Sequence, residues 1–146
     1  MAKSRERFLT PQFLLVTLSG ALYFIALGTG IAVIPVFAKH TYGSGDTGVG
    51  VAVGAFAVGA VLLRPFAGRL GDRMGRRPLI IGGAAIVSVS TALYVTATSL
   101  PLLIGYRLFG GIGEAAFFVG AATMITDLAP IERRGEAISY WSVAVY

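Results

Sequence analysis

Gly68-Arg69-Leu70-Gly71-Asp72-Arg73-Met74-Gly75-Arg76-Arg77 is a short, strongly charged stretch between two long runs of uncharged sequence, residues 47–63 and 78–106. Arginine and aspartate side chains are costly to place in hydrocarbon. We therefore predict that residues 68–77 form a loop at a membrane surface. The apolar runs on either side are then helices that cross the bilayer.

The composition of the whole chain is that of a membrane protein. Charged residues make up 13% of its 146 residues, whereas soluble domains contain about 25%. A net charge of +5 is also typical of nucleic-acid-binding proteins. Here, however, the basic residues cluster at the ends of apolar runs, which is how membrane orientation is encoded. We predict an all-α integral membrane protein, a multipass helical bundle, that contacts the lipid bilayer and binds no nucleic acid.

The apolar runs predict five helices, at about residues 11–38, 47–67, 78–97, 102–126 and 135–146. At about 1.5 Å per residue, the last of these extends roughly 18 Å, short of the roughly 30 Å hydrocarbon core. We therefore expect the chain to stop inside a membrane span.

Two features of the second predicted helix bear on its packing. Gly50 and Gly54, and then Ala55 and Gly59, are small residues four positions apart, a spacing that suits close contact between helices in lipid. Arg64 lies near the predicted end of this helix, so its side chain is expected to extend to the membrane surface.

The positions of the lysines and arginines predict the orientation. If the helices alternate in direction, ten of the twelve basic residues fall on one side of the membrane. These are Lys3, Arg5, Arg7, Arg64, Arg69, Arg73, Arg76, Arg77, Arg133 and Arg134. Basic residues are enriched on the cytoplasmic side, so the N-terminus is predicted to be cytoplasmic.

The pattern G-x-L-G-D-R-x-G-R-R of residues 68–77 resembles the signature loop between helices 2 and 3 of the major facilitator superfamily of transporters. Residues 107–116 resemble the helix 4 motif of this family, and residues 127–137 resemble its loop between helices 4 and 5. The resemblance implies a twelve-helix fold made of two six-helix halves. On that basis, residues 1–146 are part of the N-terminal half, and the C-terminal half of the transporter is an expected partner.

The resemblance also implies a function, which is secondary active transport of a small-molecule substrate by alternating access in the cell (plasma) membrane. We interpret the chain as part of a proton-coupled exporter of drugs or metabolites. A sugar or nutrient uptake permease of the same family is the alternative, because the sequence does not fix the direction of transport. A membrane scaffold that transports nothing is an alternative of another class, but it has no use for Glu114 in the middle of an apolar helix.

Catalytic and metal-binding sites are not predicted. The chain has no cysteine and one histidine, whereas a metal site needs several ligands. Residues 43–48 and 111–116 fit glycine patterns of dinucleotide-binding proteins, but neither follows a predicted strand, as those patterns require. We therefore expect no enzymatic activity, no metal and no cofactor.

The resemblance assigns a conformational latch to the charged stretch and its partner in the 4–5 loop. Ion pairs at this cytoplasmic latch would favour one of the two access states. Asp72 supports the latch over a mere orientation signal, because acidic residues contribute little to membrane orientation. The predicted members are Gly68, Gly71, Asp72, Arg73, Gly75, Arg76, Arg77 and Asp127.

A second group of candidates lies in the fourth predicted helix. Arg107 and Glu114 are seven residues apart, on one face and roughly 10 Å apart along the axis. Charged side chains at such depth are functional by default, so we predict that Glu114 carries the coupling proton. The alternative is a structural pair that fixes the helix register. Gly111 and Phe118 continue this face, and Tyr23 is predicted to line the same substrate cavity, although packing is the commoner role of such aromatics.

Overall fold

A computed structural model describes residues 10–145 as a bundle of five α-helices. They are α1 (Pro11–Tyr42), α2 (Asp46–Met74), α3 (Arg76–Leu93), α4 (Leu100–Asp127) and α5 (Arg134–Val145). Short 3-10 turns, Tyr94–Thr96 and Ile131–Arg133, follow α3 and precede α5. Four segments are long and apolar enough to cross a membrane: α1, α2, α3 with its 3-10 turn, and α4. The prediction of an all-α, multipass membrane fold is confirmed.

The prediction of a loop at residues 68–77 is wrong. The second helix does not end near residue 67 but continues to Met74, and α3 already begins at Arg76. Gly75 alone separates the two helices, with φ +90°, a conformation that favours glycine. The charged side chains keep this stretch out of the hydrocarbon. They do not interrupt the helix, because arginine is a good helix former. The chain reverses where glycine permits it.

The other helix bounds differ from the prediction by smaller amounts. The first helix extends past residue 38 to Tyr42 and ends at Gly43, which has φ +60°. Lys39 and His40 therefore lie in its last turn, where basic side chains interact favourably with the helix dipole. The fourth helix starts two residues early, at Leu100, and runs to Asp127 rather than 126.

The third and fifth helices are also shifted. Helical hydrogen bonding of the α type ends at Leu93 instead of 97, because the chain tightens into a 3-10 turn. The fifth helix is observed as Arg134–Val145 rather than 135–146, and Tyr146 lies outside the described residues.

The central helix of the bundle is α4, which lies between α2 and α3. Half of its most apolar stretch is buried, compared with 11% for α1. A Cβ atom on Gly59 of α2 would lie 2.5 Å from the carbonyl oxygen of Leu108 in α4. A Cβ atom on Gly113 of α4 would lie 2.7 Å from the carbonyl oxygen of Gly83 in α3. The backbones of α4 and both neighbours are therefore in direct contact, as small residues permit in membrane helices.

The two small-residue pairs predicted in α2 have different surroundings. Ala55 is buried, and Gly59 makes the close contact with α4, so this pair packs as predicted. Cβ atoms on Gly50 and Gly54 would meet nothing in the described chain within 4 Å. Gly50 and Gly54 therefore make no close helix contact within the described chain, and the packing of this pair stays a prediction.

Replacement of Gly83 by alanine is expected to destabilise the bundle. The added methyl group would lie 2.6 Å from the carbonyl oxygen of Gly113 and would clash with the backbone of Phe117, which cannot rotate away. Overpacking of this kind costs about 1–3 kcal/mol. The measurement is thermal unfolding of the purified protein in detergent.

Gly82→Ala is the matched control, because a Cβ atom at Gly82 would meet nothing in the described chain within 4 Å. The control should unfold at the wild-type temperature. Equal unfolding temperatures for the two variants would contradict the close approach of α3 to α4.

Candidate functional site

An ion pair joins α2 and α4 inside the bundle. Nη2 of Arg64 lies 3.5 Å from Oε1 of Glu114. Glu114 stands at the middle of α4 and is 6% exposed, whereas the Arg64 side chain is 43% exposed. The pair therefore presents a buried carboxylate behind a half-exposed cation.

Arg64 does not extend to the end of its helix as predicted. Since α2 continues to Met74, Arg64 lies about 15 Å before the helix end. Its guanidinium reaches Glu114 and also lies 4.7 Å from the centre of the Phe118 ring. Because the predicted helix ended near residue 67, the sequence did not indicate that Arg64 pairs with Glu114.

Arg107 is held by the backbone of α2, and the structural alternative of an Arg107–Glu114 ion pair is not formed. Its Nε donates to the carbonyl oxygen of Ala52 at 3.0 Å, and its Nη2 donates to that of Val53 at 3.1 Å. The guanidinium also lies 4.9 Å from the centre of the Phe56 ring. Carbonyl oxygens have two lone pairs, so these bonds hold the arginine without breaking α2.

Aromatic rings from three helices surround the Arg64–Glu114 pair. Tyr23 of α1 stacks on Phe117 of α4, with ring centres 3.7 Å apart. Phe118, which lies under Arg64, is 5.4 Å from Trp141 of α5. We call the whole set the Glu114 cluster; it consists of Tyr23, Arg64, Glu114, Phe117, Phe118 and Trp141.

The predicted cavity residues are only partly brought together. Tyr23, Glu114 and Phe118 belong to the Glu114 cluster. Gly111 does not, because a Cβ atom there would lie 2.8 Å from the backbone nitrogen of Ala60, in the contact between α4 and α2. Arg107 is likewise held by α2 outside the cluster.

Three buried polar atoms of the cluster have no hydrogen-bond partner among the described residues. The Tyr23 hydroxyl, Oε2 of Glu114 and Nε1 of Trp141 are buried and make no hydrogen bond to the described part of the chain. Buried polar groups are nearly always hydrogen-bonded in native proteins. The cluster therefore combines one carboxylate, buried polar atoms without a hydrogen-bond partner in the described chain, and aromatic rings.

A second group of charges lies where α2, α3 and α4 meet, and we call this end of the bundle the basic end. Nη1 of Arg76 lies 2.8 Å from Oδ1 of Asp72, and its Nε lies 3.2 Å from Oδ2 of Asp127. A Cβ atom on Gly71 would lie 3.2 Å from the same Nη1. Arg76 thus ties the end of α2 to the end of α4, and the glycine at position 71 leaves room for its side chain.

The other predicted latch residues stand apart from this bridge. Gly68 has open space where its side chain would be, within the described chain. Arg73 and Arg77 are exposed, and neither forms an ion pair with any residue from 10 to 145.

Comparison with known proteins identifies the family. Residues 16–146 match the family model described as Major Facilitator Superfamily. The chain belongs to the Major Facilitator Superfamily. The match covers the helices that carry both the Glu114 cluster and the basic end, so these two groups of residues lie in a Major Facilitator Superfamily fold.

Several Major Facilitator Superfamily relatives are resistance proteins. The chain is 34% identical over 122 residues to "Multidrug resistance protein 2" of Bacillus subtilis (strain 168), covering 84% of this chain and 30% of that protein. "Multidrug resistance protein 1" of the same strain is also 34% identical over 122 residues, with 84% and 31% covered. "Quinolone resistance protein NorA" of Staphylococcus aureus is 28% identical over 124 residues, with 85% and 32% covered. The chain spans less than a third of the length of each of these relatives.

Removal of the Tyr23 hydroxyl is expected to leave the stability unchanged or slightly higher, because this buried group has no partner among the described residues. Tyr42→Phe is the matched comparison, because the Tyr42 hydroxyl donates a 2.6 Å hydrogen bond to the carbonyl oxygen of Ala97. Tyr42→Phe should lower the free energy of unfolding by about 1 kcal/mol. Thermal unfolding in detergent measures both. An equal loss in Tyr23→Phe would show that its hydroxyl has a structural partner.

Proposed function

We propose that this chain is part of the N-terminal half of a secondary active transporter that exports small molecules in exchange for protons. The observation that carries the proposal is the buried Glu114 carboxylate at the middle of α4, paired with Arg64. Ionisable side chains at such depth in membrane helices mark proton and substrate pathways. The relatives named for multidrug and quinolone resistance support the direction of transport.

The proposed exchange depends on competition for one carboxylate. A proton or a substrate group binds at Glu114, and each excludes the other, so entry of a proton favours release of the substrate. The rings of Tyr23, Phe118 and Trp141 provide an apolar surface beside that charge, and aromatic faces also attract cations. A drug or metabolite with an apolar body and a polar or cationic group fits this arrangement.

The remaining half of the transporter completes the proposed cycle. Major facilitator transporters expose a site near the bilayer midplane to each side in turn, by movement of one half against the other. Glu114 stands at the middle of its span and therefore at that depth. In this proposal the basic end lies on the cytoplasmic side, because basic residues are enriched there, and a cytoplasmic N-terminus stays a prediction.

Glu114→Gln in the full-length transporter is expected to abolish pH-gradient-driven export and to weaken the binding of cationic substrates, because the proton and the substrate group bind at the same carboxylate in this proposal. Glutamine keeps the shape and the hydrogen bonding of glutamate but binds no proton. The measurement is uphill substrate transport into proteoliposomes, and it is compared with passive substrate exchange in the absence of a pH gradient. Driven transport should fall at least about tenfold, which corresponds to roughly 1.4 kcal/mol of lost coupling.

Glu132→Gln is the matched control, because it makes the same change at an exposed carboxylate in the 3-10 turn before α5. It should transport at the wild-type rate. Wild-type driven transport by Glu114→Gln would place the coupling group elsewhere. Movement of protons and substrate in the same direction would instead favour the nutrient uptake permease.

We also propose that the Asp72–Arg76–Asp127 bridge is a latch for one access state. Asp127→Asn removes the contact between Arg76 and α4 and leaves the contact with Asp72. The Asp127 side chain is 52% exposed, and exposed ion pairs contribute up to about 1 kcal/mol. We expect a shift of up to about fivefold in the ratio of the two access states.

The measurement for the latch is the labelling rate of a cysteine introduced at Ala122, one turn from Phe118 toward the basic end. A membrane-impermeant maleimide is applied from each side in turn. Asp46→Asn is the control, because Asp46 forms a similar exposed ion pair with Lys39, 2.9 Å apart, at the opposite end of the bundle. Identical labelling rates in both variants and in wild type would contradict the latch. The charges of the basic end would then serve only to orient the protein in the membrane.

A further inference from the structure

A mostly apolar groove runs between α1 and α3 and begins at the basic end. Within the described chain these two helices do not pack closely against each other, and α4 forms the floor between them. The groove has a volume of about 250 Å³. We call it the α1–α3 groove; its lining includes Gln12, Val16 and Ser19 of α1, Arg77 and Ile80 of α3, and Ala121 of α4.

The α1–α3 groove extends from the membrane surface into the hydrocarbon. Arg77 is the last charged residue before the uncharged run at 78–106, so its guanidinium lies at the level of the lipid headgroups. From Gln12 to Ser19 the groove follows α1 for about 10 Å away from the basic end. The mouth of the groove is therefore cationic, whereas its deeper walls are mostly apolar.

The cation at the mouth has no acidic partner in the described chain. Arg77 is exposed and forms no ion pair with any residue from 10 to 145, whereas the neighbouring Arg76 is held between Asp72 and Asp127. A guanidinium binds a phosphate group through two parallel hydrogen bonds. Gln12, on the opposite wall, adds an amide donor. The mouth therefore suits a phosphate, and the walls below it suit an attached hydrocarbon chain.

We propose that the α1–α3 groove binds one phospholipid with an anionic headgroup. The phosphate pairs with Arg77 and accepts a hydrogen bond from Gln12, and one acyl chain lies between Val16 and Ile80. Basic pockets between membrane helices on the cytoplasmic side bind headgroups of this kind, and each buried methylene of an acyl chain adds to the affinity. A free phosphate would use only the mouth, so the apolar walls favour a lipid. This site does not depend on the proposed transport function.

The test is lipid binding to the purified full-length protein, measured by native mass spectrometry. Dioleoylphosphatidylglycerol is the anionic probe, and dioleoylphosphatidylcholine has the same acyl chains without the net charge. Glycerol phosphate has the anionic group without the chains. The first phosphatidylglycerol molecule should bind more tightly than either of the others, because only this probe uses both the arginine and the apolar walls.

Arg77→Gln tests the mouth of the groove. It should weaken binding of the first phosphatidylglycerol by about fivefold or more, which is the contribution of one basic residue to binding of anionic lipid. Arg77→Lys keeps a cation and should restore most of the affinity, which excludes misfolding as the cause of the loss. Arg69→Gln is the matched control, because it removes the same charge from an exposed position on α2 outside the groove. It should bind phosphatidylglycerol as wild type does.

Ser19→Phe tests the walls of the groove. Ser19 is exposed, and its hydroxyl donates to the carbonyl oxygen of Leu15 in the same helix at 2.8 Å, so a phenyl ring fills the groove without breaking a hydrogen bond between helices. It should weaken binding of phosphatidylglycerol and leave binding of glycerol phosphate unchanged. Ser88→Phe is the matched control, because Ser88 is exposed, donates to Ala84 of its own helix at 2.9 Å and does not line the groove.

Four results would overturn the lipid site. Wild-type affinity for phosphatidylglycerol in both Arg77→Gln and Ser19→Phe does so, and it is the result expected if another segment of the full-length protein covers the groove. Equal losses in Arg77→Gln and Arg69→Gln would show a diffuse attraction to the basic end. Phosphatidylcholine binding as tightly as phosphatidylglycerol would exclude recognition of the charge, and glycerol phosphate binding as tightly would exclude recognition of the acyl chain.

Discussion

Close backbone contact between α4 and its two neighbours is the constraint on which the rest of the bundle depends. Lipid provides little hydrophobic drive for helices to associate, so tight packing must supply it. Gly59 and Gly83 allow α2 and α3 to touch the backbone of α4. The short distance between α2 and α4 then lets Arg107 reach the carbonyls of α2 and lets Arg64 reach Glu114. The charges are thus positioned by the glycines around them.

The sequence predicts the fold class and the family well, because both depend on local patterns. Apolar runs of membrane-spanning length and the charged glycine-rich stretch at residues 68–77 are read directly from the chain. The secondary structure of residues 68–77 cannot be read in the same way, because a charged segment at a membrane surface remains helical until a glycine permits a turn. The predicted end of α2 near residue 67 put Arg64 at the end of the helix, although it lies in the interior. The prediction that its side chain extends to the membrane surface was therefore wrong.

The candidate site was less predictable, since its contacts join residues distant in the sequence. The periodicity of α4 places Arg107 and Glu114 on one face, but it contains no information about α2. Arg64 and Glu114 are 50 positions apart, and Arg107 and Ala52 are 55 apart. A prediction from one helix pairs the two charges on that helix with each other. The packing of α2 against α4 instead gives each charge its own partner.

The same two helices carry the Glu114 cluster and the bridge at the basic end. Arg64 and Asp72 belong to α2, while Glu114 and Asp127 belong to α4, about 20 Å apart along that helix. Because glycine contacts lock α2 to α4, relative sliding of these helices would bring backbone atoms into collision. In the proposed cycle, a change of charge at Glu114 therefore acts by moving this half as a unit against the other half.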